Sequence, residues 1–151
     1  MKTQGQFEEK SRARRRALQA VYQWQITGQD VDEIRTQFFE EQNFSNVDTT
    51  LFRSLLEGVV KTRSELDDFL RPFLDRPVSQ LDVMEAAILR IAAFELNNYP
   101  ELPLAVLIDE AIDLARRFGA EQGHSFVNGV LDRAARNRKA AGSTPKGDAP
   151  D

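Results

Sequence analysis

Lys10, Arg12, Arg14, Arg15 and Arg16 put five positive charges into seven residues of a chain whose formal net charge at pH 7 is −4. The remainder of the chain therefore carries −9. Guanidinium groups make bidentate contacts to phosphate and stack on nucleobases, and an aromatic ring beside them offers a second platform. At about 100° per residue from Lys10, Arg12, Arg15 and Arg16 fall at about 200°, 140° and 240°, with Gln19, Tyr22 and Gln23 at about 180°, 120° and 220°. The apolar Ala17, Leu18 and Val21 occupy the opposite arc. One face of the helix is thus buried and the other is a stripe of guanidinium, amide and phenol suited to single-stranded RNA. Arg14 falls at about 40°, on the apolar side, so it must lie in a frayed first turn or reach around. Cations at a helix N-terminus oppose the macrodipole by about 0.3–1 kcal/mol each, so helix stability does not account for them.

Other residue types that perform chemistry are scarce. The chain has no cysteine, which excludes disulfide scaffolds, thiolate metal sites and cysteine nucleophiles. His124 is the only histidine, and Ser125 beside it does not share its helix face, so a serine–histidine pair is not expected. The eight glycines are scattered and form no phosphate-cradling loop. Asp67 with Asp68, and Glu40 with Glu41, read as solvated faces. No enzyme, metal site or cofactor is expected. The N-terminal MKTQGQFEEKSR lacks the apolar centre of a signal peptide, and no apolar run reaches membrane-spanning length, so a cytoplasmic protein without a membrane partner is expected. An acidic body repels nucleic acid, so RNA binding should be local to the basic patch and salt-dependent.

The elements that must position this stripe are helical, because apolar residues recur at spacings of three and four and nowhere alternate. A first helix is predicted from about residue 9 to Thr27, and a short second one carries Ile34, Phe38 and Phe39. A loop covers Asn43 to Thr49. The segment from Leu51 to Phe73 follows, with a bend or break near Gly58 or Thr62 to Ser64 and its end at Pro72 and Pro77. The most apolar helix, from about Leu81 to Asn98, is the expected centre of a bundle. Pro103 is placed at the start of the next helix, which ends at Arg116, Arg117, Phe118 and Gly119. A last helix runs from about Gln122 to Arg138. In it Gly129 either admits a neighbouring helix or leaves Phe126 and Asn128 facing a ligand. The expected product is an all-α, compact bundle of six or seven helices over residues 9–139, divided at about residue 77 into two packed subdomains. Residues 1–8 and 140–151 are expected to be disordered.

Three stretches, in this order, resemble the NusB family of bacterial transcription antitermination factors: ARRRALQAVYQW at 13–24, DVMEAAILRIAAFEL at 82–96, and IDEAIDLARRFG with GHSFVNGVLD between 108 and 132. The resemblance spans about residues 10 to 136. It implies an all-helical fold and binding of the boxA element of nascent RNA together with NusE, a small-subunit ribosomal protein. It further implies work beside other antitermination factors and RNA polymerase, chiefly in ribosomal RNA transcription. The RNA-binding residues it implies are Lys10, Arg12, Arg14, Arg15 and Arg16, with Arg90 and Phe126; Tyr22 joins them from the helical wheel. Glu85 matches an acid of the family's NusE surface. The family pattern commonly has an acid where Arg15 stands and an arginine where Ser11 stands, so charge is shifted along this helix. Similar helical domains precede the catalytic part of ribosomal RNA cytosine methyltransferases, which makes an RNA-recognition domain of such an enzyme the second reading. A protein-only adaptor whose arginines bind an acidic partner is the third.

Overall fold

The computed structural model describes residues 3–143, with side chains through Arg138. Seven α-helices account for most of them: α1 (Gln4–Thr27), α2 (Val31–Glu41), α3 (Thr49–Lys61), α4 (Arg63–Leu70), α5 (Val83–Asn98), α6 (Leu104–Phe118) and α7 (Gly123–Ser143). Two single turns of 3-10 helix, Arg71–Phe73 and Val78–Gln80, join α4 to α5.

Helix α1 starts earlier than the apolar pattern predicts. Thr3 accepts a hydrogen bond from the Gln6 backbone while the Gln6 side chain accepts one from Thr3, a reciprocal cap that satisfies two otherwise orphaned N–H groups. Residues 4–8 are therefore helical, which corrects the expectation of disorder there. The basic run now lies in the helix interior, beyond the first turn, so its opposition to the macrodipole is largely removed. Gly28 ends the helix at φ 68, a left-handed conformation that favours glycine, and donates to the Trp24 carbonyl at 2.9 Å.

The core forms where the periodicity places it. Ala13, Ala17, Leu18, Ala20 and Val21 of α1 are fully buried, and α1 packs on both α3 and α5. Every residue of α5 from Ala86 to Leu96 is buried, which makes it the central helix. Its start is set by Asp82, which accepts from the Met84 and Glu85 amides. The Phe94 ring occupies the space where a β-carbon on Gly58 would lie, with 2.2 Å between them, so α3 and α5 approach over a bare backbone. The break in the long segment falls at Thr62, whose hydroxyl turns back to the Gly58 carbonyl at 2.7 Å.

Two details at the C-terminal end differ from expectation. Pro103 is the cap of α6 rather than its first helical residue. Helix α7 continues to Ser143, so the expected tail is helical over its first residues; the rest of that expected tail lies outside the described residues. Among the described residues no helix is long and apolar enough to cross a membrane.

Candidate nucleic-acid interface

The arginine run divides sharply by depth. Arg14 is only 4% exposed. Its Nε and Nη2 donate to the Glu95 carboxylate at 2.9–3.1 Å, and Nη1 donates to Glu110 at 2.8 Å. Burial works against its charge, but the hydrogen bonds and attraction of Glu95 and Glu110 outweigh it, so its pKa is raised above the ordinary arginine value. Ser11 donates to the same Glu110 oxygen at 2.7 Å. This network ties α1 to α5 and α6. Arg14 therefore cannot meet a phosphate: its donors are committed inside the protein, which corrects its assignment to RNA.

Arg90 meets the same fate. It is 6% exposed, forms a two-pronged pair with Asp67 at 2.9 and 3.0 Å, and donates to Gln25 at 2.7 Å. It braces α5 against α4 and α1 and does not present its guanidinium to RNA. Both corrections have one physical cause, since a buried guanidinium requires acceptors for its fixed fork of donors. Glu95, an acid inside the otherwise apolar run AAFEL, was the sequence signal for such a pairing.

Of the remaining cations, Lys10, Arg12 and Arg16 reach one loop. Lys10 pairs with Asp48 at 2.8 Å. Arg12 donates to the Asn46 carbonyl at 3.1 Å, and Arg16 donates to the Asn43 carbonyl at 3.0 Å. The Arg16 guanidinium also sits 5.7 Å from the centre of the Phe44 ring, a cation–π distance. Arg15 makes no ion pair among the described residues, and the Nε atoms of Arg15 and Arg16 are buried without a hydrogen-bond partner. Arg12, Arg15, Arg16, Tyr22 and Gln23 are all half-buried, and Gln19 is exposed. The stems lie along the protein while charged donors remain for an outside acceptor.

The loop at residues 42–48 is anchored to the helices beside it. Phe44 packs against Phe39 and Phe52 with ring centres 4.5 and 4.9 Å away. Asn43 closes a turn by accepting from the Ser45 amide at 2.8 Å. Asp48 caps α3 through Leu51, and its own amide donates to the Glu9 carbonyl. Desolvation alone would raise the Asp48 pKa, but Lys10 and the α3 amides reverse this, and it lies below the ordinary aspartate value. The helical wheel did not include this loop; an aromatic flanked by Asn43 and Ser45 ahead of a capping aspartate was the only trace of it.

Glu85 and Phe126 lie elsewhere, at the junction of α5 and α7. Gly123, the first residue of α7, has no side chain, and a β-carbon there would fall 2.9 Å from Glu85 Oε2. Desolvation and the charge of Asp82 raise the Glu85 pKa, with Arg76 opposing. Phe126 is half-buried with part of its ring against the core, whereas Asn128 is exposed. Among the described residues a β-carbon on Gly129 would meet only Arg133 Nη1, at 3.5 Å, and no neighbouring helix. Among the described residues no group of His, Cys, Asp or Glu is arranged to hold a metal ion.

Comparisons with known proteins agree with the fold. The NusB family matches residues 11–136. The chain is 52% identical over 131 residues to the transcription antitermination protein NusB of Nitrosococcus oceani, covering 87% of this chain and 88% of that protein. It is 55% identical over 126 residues to the same-named protein of Xanthomonas campestris pv. campestris, covering 83% and 79%. Among solved structures, T. maritima NusB superposes with a TM-score of 0.73 at 30% identity, over 90% of this chain and 93% of that one. A crystal structure of the antitermination factors NusB and NusE in complex with double-stranded RNA gives 0.76 at 25% identity, over 84% and 96%.

Proposed function

The chain belongs to the NusB family, and we propose that it is a nonenzymatic RNA-binding adaptor that holds boxA-type single-stranded RNA together with NusE. In this reading it joins other antitermination factors on RNA polymerase in the cytoplasm, chiefly during ribosomal RNA transcription. The observation that carries the reading is the state of Arg12, Arg15 and Arg16. Two of them rest on neutral carbonyls and one has no ion pair, on a helix locked in place by Arg14. An anionic phosphate oxygen is a stronger acceptor than a carbonyl, so RNA can displace the internal contacts of Arg12 and Arg16. Lys10 contributes charge at the edge, Tyr22 supplies a ring on the stripe for stacking, and the half-buried Phe126 supplies a second ring away from the stripe, on α7. The crystal structure of NusB and NusE with double-stranded RNA supports both partners for this family.

Glu85 is the proposed contact for NusE. Its carboxylate has no ion pair among the described residues and is partly desolvated, a state that a basic group of the ribosomal protein relieves. The acidic remainder of the chain suits the same basic partner.

The test is binding of a boxA-type RNA strand across a salt series, with and without NusE. Wild-type affinity should fall on a log–log plot with a slope near −0.7 per phosphate neutralised. A variant with Arg12, Arg15 and Arg16 all changed to alanine should lose affinity and flatten that slope by about 2. Circular dichroism should show it folded, because the buried Arg14 network is untouched. Unchanged affinity and slope in the triple variant would remove the stripe from the RNA site.

A further inference from the structure

We propose that the loop at residues 42–48 is the second wall of the RNA site, and that the side-chain amides of Asn43 and Asn46 read base edges there. This inference rests on the arginine stripe of α1 being the phosphate-binding wall. The stripe alone explains affinity but not discrimination, because phosphate contacts position a strand and carry no sequence information. Recognition of single-stranded RNA needs donors and acceptors that reach the edges of splayed bases. Those groups must stand beside the arginines and be free of internal bonds.

Few side chains meet both conditions. Gln19, exposed on the stripe, is one; Gln23 is not, because its amide nitrogen already donates to Gln29 at 2.8 Å and Gln37 at 3.1 Å. Asn43 and Asn46 are exposed, and their own carbonyls are the acceptors of Arg16 and Arg12. The side-chain oxygen of Asn43 is used in the turn to Ser45, which leaves its NH2 group free to donate. The Asn46 amide has no partner among the described residues, so it offers both a donor and an acceptor. A base edge presenting a donor and an acceptor side by side is the natural complement of such an amide.

The loop is also rigid enough to discriminate. Phe44 anchors it between Phe39 and Phe52, Val47 is buried, and Asp48 is bound to both Lys10 and the start of α3. Amides held on such a frame lose little further freedom on binding. Arg12 and Arg16 start from the carbonyls of Asn46 and Asn43, so a phosphate that takes over their donors brings the strand beside the two asparagines. Glu40 and Glu41, exposed at the end of α2, repel a polyanion and keep the strand on the α1 side of the loop.

The experiment compares Asn46→Ala and the double variant Asn43→Ala/Asn46→Ala with the wild type. Each is titrated with a boxA-type RNA strand and with a scrambled strand of equal composition and length, across a salt series. Asn46→Ala keeps every internal hydrogen bond of the loop, so it reports on RNA even if the double variant loosens the turn. Losing a base contact should weaken boxA binding by about two- to tenfold per side chain. Binding of the scrambled strand and both salt slopes should stay as in the wild type. Equal losses on both strands, or a changed slope, would show that the loop only holds the arginines and would overturn the proposal. Unchanged boxA affinity in both variants would overturn it as well. If the wild type itself bound neither strand in a salt-dependent way, the arginine reading would fail first.

Discussion

Replacing Arg14 with alanine would leave Glu95, itself 4% exposed, and Glu110 facing each other without a cation. Breaking a buried pair from one side costs about 3–5 kcal/mol, because a desolvated charge is left without its partner. Arg14→Ala should therefore lower Tm by roughly 10 °C or more in thermal melts. Arg15→Ala, one residue on, should leave Tm within a few degrees and weaken RNA binding. Were the melting effects reversed, the division of the arginines by depth would be wrong. Glu85 offers a second test with a definite sign. Its folded pKa is raised by desolvation and by Asp82, so the ionised group costs stability that appears as pH rises from its ordinary value of 4.5 through the folded one. The Tm of Glu85→Gln relative to the wild type should increase between pH 4.5 and pH 7, while affinity for NusE falls. A difference that shrank over this range would mean the carboxylate stabilises the fold where it stands.

At the scale of elements, α7 carries a glycine with no packing duty. Gly129 lies in a helix interior at ordinary φ, and an added methyl group meets only the far end of Arg133. Gly129→Ala should raise stability by about 0.5–1 kcal/mol, measured by denaturant unfolding. Gly58→Ala, with the Phe94 ring in the way, should do the opposite. A destabilised Gly129→Ala would mean that something packs on this turn after all. The two glycines also show what was legible in sequence. Helix existence and the burial of α5 follow from apolar spacing, because each apolar stripe must be covered by another element. Which glycine a neighbour presses on depends on a residue 36 positions away, and spacing does not encode that. The same limit explains Arg14: the wheel placed it on the buried side, but its partners Glu95 and Glu110 come from α5 and α6. The polar first turn of α1 has no apolar period, so spacing places the helix start too late, and the Thr3–Gln6 capping pair is its signal instead.

At the scale of the whole molecule, most arginines outside the stripe have a carboxylate partner, whereas Arg12, Arg15 and Arg16 stand together on one helix face without one among the described residues. Most arginines outside the stripe are neutralised locally: Arg117 by Asp113, Arg136 by Asp132, Arg35 by Asp32 and Glu57, and Arg90 by Asp67. A neutralised surface pair contributes little to a field that counterions already screen beyond about 10 Å. RNA affinity should therefore count the cations of the stripe and not those of the chain. Raising salt from 50 to 200 mM should weaken binding by about twentyfold if three phosphates are neutralised. The double variant Arg117→Ala/Arg136→Ala should show the same loss, even though it removes as many positive charges as a variant of Arg12 and Arg16. The Arg12→Ala/Arg16→Ala pair should lose far less on the same change of salt, because two of its phosphate contacts are already absent. Equal salt slopes in these two double variants would mean that net charge, rather than the placed stripe, draws the RNA.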